Sequence, residues 1–500
     1  ADAGRYENDD MHAIRIISFE PNSHAKGEGA SHGYPAYYSH AMERLRVLGE
    51  IPLRKFDKSG EQPKDPDGNP DTSFLAKLPA DVAFTFQTID KRGMTLNMAQ
   101  TWHQLRPGEK RVDCGGCHAH SQQPTEFGQS LAARPDYKTF DLTKHTPLVT
   151  ANEKDESGRK WDAKNESGLR YEQGPHDVEY WRDVQPIFAR GCVACHTKES
   201  SDPAAGLVLD DTTPTRVHRI TPTLPSSYAR LAADPQAMFG PKPLLARSQH
   251  HGWQQYLLSD NASRYICRMQ SRRSLLVWKI YGERLDGWTN DDVPSEVIHP
   301  DDPRFKEFTW HDEPLPAIRN HLLSGDIDYV GSEMPPRSAV EGTYRGADGK
   351  RIKVTALTDE DRRTISRWID LGCPIDLHPQ YNASDVAAEH SGFSADDHRP
   401  TLTLTYPAAG ANASLDRILI GMHDFDSGLN MESFTVTADV PINGVAAGEN
   451  LASNFKPLEG SRWEWKLTSS PKVERATLTV SISDQVGNRT KLVRTFSVRP

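Results

Sequence analysis

Two pentapeptides in this 500-residue chain combine residue types and spacing that point to defined chemistry: Cys114-Gly115-Gly116-Cys117-His118 and Cys192-Val193-Ala194-Cys195-His196. C-x-x-C-H is the pattern through which a c-type haem is attached. Its two thiols reach the two vinyl groups of one porphyrin, and the histidine that follows places an imidazole under the iron. Together the motifs take four of the six cysteines. Each carries its histidine at the same offset, so two covalently bound haem c groups are expected. A structural zinc site is the competing chemistry, but the halves of such sites follow one another within about 12–20 residues. Here Cys192 lies far downstream of Cys117, and neither motif sits in the βαβ pattern of a thioredoxin-like pair.

Each motif supplies one axial ligand, His118 and His196. The ligand on the opposite face decides whether the iron relays electrons or binds a small molecule. For the second haem the best candidate is Met334, in Ser332-Glu333-Met334-Pro335-Pro336, where two prolines stiffen the loop that aims the thioether. The rival is the pair His250-His251; methionine would give the higher reduction potential. For the first haem the candidates are His103, His120, Met94 and Met98, or an open position. His120 is two residues from His118 and poorly placed to reach the other face. His103 lies just upstream, in Thr101-Trp102-His103-Gln104. With an open position, this haem could be catalytic.

These residues need elements to hold them. Residues 1–30 are polar and rich in His and Gly, which predicts a draped or poorly ordered arm. Leu45, Val47 and Leu48 before Gly49, and Val82, Phe84 and Phe86 alternating with Ala83 and Thr85, read as strands. The first haem therefore hangs from a small β-rich module. Residues 121–175 are polar throughout and read as a surface linker. Asp183 is then a candidate helix cap, with Pro186 tolerated in the first turn and Ile187 and Phe188 leading into Cys192. Thr358 caps a second helix, with Asp359, Glu360 and Asp361 in its positive first turn and Gly372 at its end. Ile365, Trp368 and Ile369 form its buried stripe. A large insert, about 197–330, separates the two. From Pro400, Leu402/Leu404, Phe434/Val436, Leu478/Val480 and Phe496/Val498 alternate between Gly/Asn turns, the pattern of a β-sandwich of about 100 residues.

Composition narrows the setting. No run approaches 18 consecutive apolar residues, so no membrane-spanning helix is expected. The chain opens Ala-Asp-Ala without Met, which fits a mature product with its signal peptide removed. Haem attachment follows export, which places the protein in the periplasm or outside the cell. The net charge of −10 argues against nucleic acid and anionic membranes and suits a basic redox partner protein. Cys267 and Cys373 could bridge in an oxidising compartment or remain buried thiols. Asp424 and Asp426 could bind calcium.

Asp183-Val184-Gln185-Pro186-Ile187-Phe188 running into Cys192–His196, then Met334-Pro335-Pro336, then Leu357 to Leu371 with Trp368-Ile369-Asp370, resembles the cytochrome c domains of planctomycete and related secreted proteins. That resemblance covers 180–377 and implies His196/Met334 ligation. Leu48-Gly49-Glu50-Ile51-Pro52, Leu78-Pro79-Ala80-Asp81, Phe86-Gln87, Gly93-Met94 and Pro107-Gly108-Glu109 before the first motif resemble the middle domain of the hydrazine synthase alpha subunit, which carries two c haems in the same order. Its β-propeller is not expected within these 500 residues, its distal-histidine segment is replaced by Met334, and no tyrosine lies between His118 and Gln123. The resemblance therefore implies the scaffold and not hydrazine chemistry. Residues 400–498 are similar to bacterial Ig-like domains, which serve as spacers or protein-contact modules.

The expected fold is a multidomain α+β chain. Residues 1–150 form a β-rich N-terminal haem module, 151–390 an α-helical cytochrome c domain with a large insert, and 391–500 an Ig-like β-sandwich. The expected function is electron transfer by a di-haem c-type cytochrome. The alternative is a di-haem oxidoreductase in which the first haem is open and the second relays electrons.

Overall fold

The computed structural model describes residues 3–20, 37–56, 59–99, 101–112, 114, 126–200, 203–217, 222–234, 238–239, 262–287, 333–346, 348–377, 396 and 398–499, with the backbone of 295–296 and 326–327. The chain divides into two compact units, 1–172 with 176–394, and 173–175 with 395–500.

The first unit is organised by a four-stranded antiparallel sheet in the order Arg44–Pro52, Ala13–Glu20, Ala83–Ile89, Thr95–Met98. The strand Ala13–Glu20 falls where a draped arm was expected. It is a central strand, and Ile16 and Ile17 are fully buried. The charged residues that disguise it in the sequence are buried too. Arg15 pairs with Glu50 at 2.8 Å and Asp370 at 3.4 Å, and Arg367 reaches Glu50 at 3.1 Å. Residues 121–175 are likewise more than a linker, because Thr146–Ala151 and Ser167–Glu172 form an antiparallel pair. Gly49 allows this layer to approach: a Cβ there would sit 2.7 Å from Leu142 Cδ2 and 3.2 Å from Pro147 Cδ.

Five α-helices occur among the described residues: α1 (Gln185–Gly191), α2 (Ser226–Ala232), α3 (Leu275–Tyr281), α4 (Arg337–Val340) and α5 (Asp359–Asp370). The α+β expectation with a large α-helical cytochrome c domain is therefore corrected: the described chain is β-rich with few helices. Only α5, at 12 residues, exceeds two turns. Helices this short are not stable alone and depend on packing. Ile187 and Phe188, Val277 and Trp278, and Ile365 and Trp368 share one core with Ile17, Leu45 and Val47 of the sheet. The apolar residues read as a helical domain of their own are thus the helical side of a core shared with strands.

The entry to α1 also differs from expectation. A π-helical turn, Tyr180–Val184, precedes it, and the Glu179 carboxylate caps that turn by accepting from the Arg182 N–H. Asp183 lies inside the turn and pairs with Arg182 at 2.7 Å. Helix α5 matches its reading. Thr358 and Asp361 form a reciprocal capping box, and Ile365, Trp368 and Ile369 are fully buried.

The second unit holds two four-stranded sheets. One runs Thr401–Tyr406, Arg417–His423, Arg462–Lys466, Lys456–Leu458; the other Gly410–Asn412, Arg489–Val498, Val473–Asp484, Leu429–Ala438. Leu402, Leu404, Ile418 and Ile420 from the first share a core with Val436, Leu478, Val480 and Phe496 from the second.

Candidate haem-binding site

Helix α1 delivers the second motif. Past Gly191 the chain keeps turning: the Cys192 and Val193 N–H groups donate to the Phe188 carbonyl at 2.8 and 3.0 Å, and Cys195 and His196 both donate to Cys192 O at 3.1 Å. This folds both thiols and the imidazole into one tight turn. Burial, with Cys195 adding, pushes the Cys192 thiol up to about 12. Burial raises Cys195 as well. These are protonated thiols, unlike the low-pKa cysteines of redox nucleophiles.

A strap formed by residues 204–210 locks the turn. Ala204 N–H donates to Cys195 O at 3.4 Å and Leu209 N–H to His196 O at 2.9 Å. Asp210 accepts from the Thr197 hydroxyl at 2.6 Å and the Lys198 N–H at 2.8 Å. His196 Nδ1 lies 3.3 Å from the Leu207 carbonyl. A neutral imidazole donating from Nδ1 keeps its Nε2 lone pair for a metal, and such a partner fixes the ring's orientation. The residues present therefore fit a covalently held haem: paired neutral thiols and an oriented imidazole in one turn. Among the described residues, no group of three or more metal-ligating side chains includes Cys192, Cys195 or His196.

Met334 is half-buried, and its N–H donates to the Lys279 carbonyl at the end of α3 at 2.7 Å. The residue before it, Glu333, pairs with Arg362 of α5, while Arg190 of α1 pairs with Asp361. Thr355 N–H donates to Arg190 O at 3.1 Å. The stretch from 333 to 355 is thus pinned at both ends near the start of α5. The pairing of these four charged residues escaped sequence reading. Their only signal was opposite charge beside the motif residues, which surface positions share.

Ionic contacts also set α1 against the front sheet. Arg46 lies 3.4 Å from Glu20 and 3.6 Å from Asp177, and Arg182 reaches Asp177 at 2.6 Å. Burial opposes ionisation of Asp177, but Arg182 and Arg46 hold its carboxyl down at about 2.

Around the first motif, Cys114 is exposed. Cys117, His118 and His120 lie outside the described residues, as do His250 and His251. His103 forms a bridge with Phe84 through reciprocal 2.8 Å backbone hydrogen bonds. Its ring lies 5.8 Å from those of Phe84 and Phe86, and its Nε2 is 3.4 Å from the Thr101 hydroxyl. Met94 belongs to the main core at 1% exposure, and Met98 Sδ accepts from Gln87 Nε2 at 3.8 Å. Cys267 and Cys373 are both buried, and no disulfide links them.

In the second unit, the ligand atoms of Asp396, His398 and Asp426, and those of Asp396, Asp424 and Asp484, lie within 4.8 Å of one another. The set could hold a hard cation such as calcium. Burial pushes the Asp424 carboxyl up to about 7, with Asp396, Asp484 and Asp426 adding to the rise.

No helix among the described residues is long and apolar enough to cross a membrane.

Residues 10–119 match the family described as the hydrazine synthase alpha subunit middle domain. The front of the chain is thus similar to that domain. Among individual proteins, the chain is 25% identical over 337 residues to hydrazine synthase subunit alpha of Kuenenia stuttgartiensis, covering 61% of this chain and 37% of that one. It therefore spans little more than a third of that relative's length. The solved Kuenenia stuttgartiensis hydrazine synthase overlaps 76% of this chain and 40% of its own, with 19% identity and a TM-score of 0.39. Dimeric latent PorU from Porphyromonas gingivalis overlaps 26% of this chain and 13% of its own, with 14% identity and a TM-score of 0.17. Scores of that size carry no argument about shared architecture.

Proposed function

We propose that this chain is an exported di-haem c-type protein that transfers electrons within a redox assembly, with one haem on Cys114, Cys117 and His118 and the other on Cys192, Cys195 and His196. The carrying observation is the His196 ring, held by its Nδ1 to the Leu207 carbonyl within one turn of two cysteines. When bound, the group supplies a one-electron couple at its iron. The chain's own residues attach it, orient the imidazole and aim a second ligand.

Met334 is the sixth ligand in this reading. It is supported by the paired anchors at Asp361 and Arg362, which bring the flank of the motif and the flank of Met334 to consecutive residues of one helix. The acidic surface suits a cationic redox partner, and the second unit provides a docking module. Periplasmic or extracellular placement follows from where haem is attached.

An oxidoreductase with an open first haem is a second reading, favoured by two observations. Met94 is enclosed in the core, and the His103 ring is held near Phe84 and Phe86 with its Nε2 turned to Thr101. Neither is presented as a ready ligand.

The test has two parts. Acid-denatured, solvent-extracted protein should retain all its pigment and carry the mass of two porphyrins. Loss of the colour, or the mass of the bare chain, overturns the proposal. Carbon monoxide binding by the reduced protein then separates the readings: two indifferent low-spin haems mean electron transfer, and one responsive haem means an enzyme.

A further inference from the structure

The first turn of α5 does more than cap a helix. Arg362 Nε donates to the Ile280 carbonyl at 2.9 Å, and the same guanidinium pairs with Glu333. It also lies 5.7 Å from the centroid of the Tyr281 ring, whose surroundings include Arg92 at 5.0 Å. Met334 N–H is held by Lys279 O at 2.7 Å. Glu333 comes this close to the end of α3 because residue 282 is glycine. Its φ is +72°, and a Cβ there would sit 3.0 Å from Glu333 Cβ. One planar fork thus ties the end of α3, the start of α5 and the residue preceding Met334. A lysine could not make these contacts together, since it offers a point charge and no fixed fork.

We propose that Arg362 is a positioning residue for Met334, holding the loop 333–336 so that the thioether stays on the iron of the second haem. This rests on the Met334 assignment above. The pair is partly exposed, with Arg362 at 22% and Glu333 at 50%. Its contribution is therefore modest, and about a two- to fivefold change in ligand occupancy is expected.

The experiment uses the full haem-loaded chain. Arg362→Gln should weaken the long-wavelength absorption that marks methionine on ferric haem, lower the second haem's reduction potential and raise carbon monoxide binding two- to fivefold. Arg362→Lys should fall between Gln and wild type. Should Arg362→Gln fail to fold, Glu333→Gln removes the same contact from its exposed side and should give the same changes. Arg337→Gln removes an exposed pair on the same segment, with Glu341, and should leave all three readouts unchanged. If wild type shows the methionine band and both variants keep its intensity, potential and carbon monoxide response, the positioning role is overturned. If wild type lacks the band, the Met334 assignment fails first and the positioning role with it.

Discussion

Several elements of the first unit converge on the buried Glu50 carboxylate, and Glu50→Gln tests how that unit is held. Glu50 accepts from Arg15 Nε at 2.8 Å, from Arg367 Nε and Nη2 at 3.1 and 3.2 Å, and from the Val149 N–H at 2.7 Å. All three side chains are at most 2% exposed. Burial disfavours the charge, yet Arg367 and Arg15 outweigh it and hold the carboxyl well below the usual carboxylate range. Glutamine keeps the shape and one acceptor but removes the charge that pairs with both buried guanidiniums, leaving Arg15 with Asp370 and Arg367 with the charges of Glu360 and Glu172. Removing one partner of a buried ion pair typically costs about 3–5 kcal/mol. Arg337→Gln, an exposed pair, should cost no more than about 0.5 kcal/mol. Urea unfolding followed by circular dichroism and haem absorbance reads both. Because the folded pKa is depressed, the Glu50 contribution is present above the unfolded value near 4.5 and is lost as pH falls through the folded one. The difference between wild type and Glu50→Gln should therefore hold at neutral pH and shrink in strong acid. A Glu50→Gln cost no larger than that of Arg337→Gln at pH 7 would refute the argument.

Three further outcomes are expected. Thr358→Ala breaks the capping box of α5 and should cost about 1 kcal/mol in the same urea assay; no measurable change would mean the cap is redundant. Met334→Leu should abolish the methionine band, lower the second haem's potential and open that iron to carbon monoxide; retention of the band would assign the ligand elsewhere. Asp424→Asn should stabilise the second unit at pH 8 and leave it unchanged near pH 3. A carboxyl raised to about 7 loses folding stability as pH climbs from its unfolded value near 3.8. Thermal unfolding across that range reads the effect, and a variant less stable than wild type at pH 8 would sink it.

What the sequence disclosed depended on whether local pattern and final environment agreed. Thr358, Asp361, Ile365, Trp368 and Ile369 announce α5 because cap chemistry and helical spacing act within one element. The alternating pairs from Leu402 to Val498 work the same way, with each inward position buried in the core of the second unit. Ala13–Glu20 was hidden because Arg15, Ser18 and Glu20 look like solvent-facing residues, whereas their partners, Glu50, Asp370, Arg44 and Arg46, arrive from distant segments. The expected helical domain failed for a related reason. Phe188, Trp278 and Trp368 do sit in helices, but the surfaces they fill belong partly to a sheet. At the candidate haem site, the motif spacing singled out Cys192, Cys195 and His196, which the structure folds into one turn. The Leu207 carbonyl could not be foreseen, because a backbone acceptor leaves no trace in residue identity.

The strap from Ala204 to Asp210 bears on the order in which the proposed haem would be attached. It fastens the histidine, the backbone of the second cysteine and the two residues after the histidine, and both cysteines are half-buried. Machinery that forges thioether bonds there would have to reach both half-buried sulfurs. If the proposed haem is attached here, joining the sulfurs before the strap closes is the easier order, and a porphyrin offered to the closed turn should be taken up more slowly.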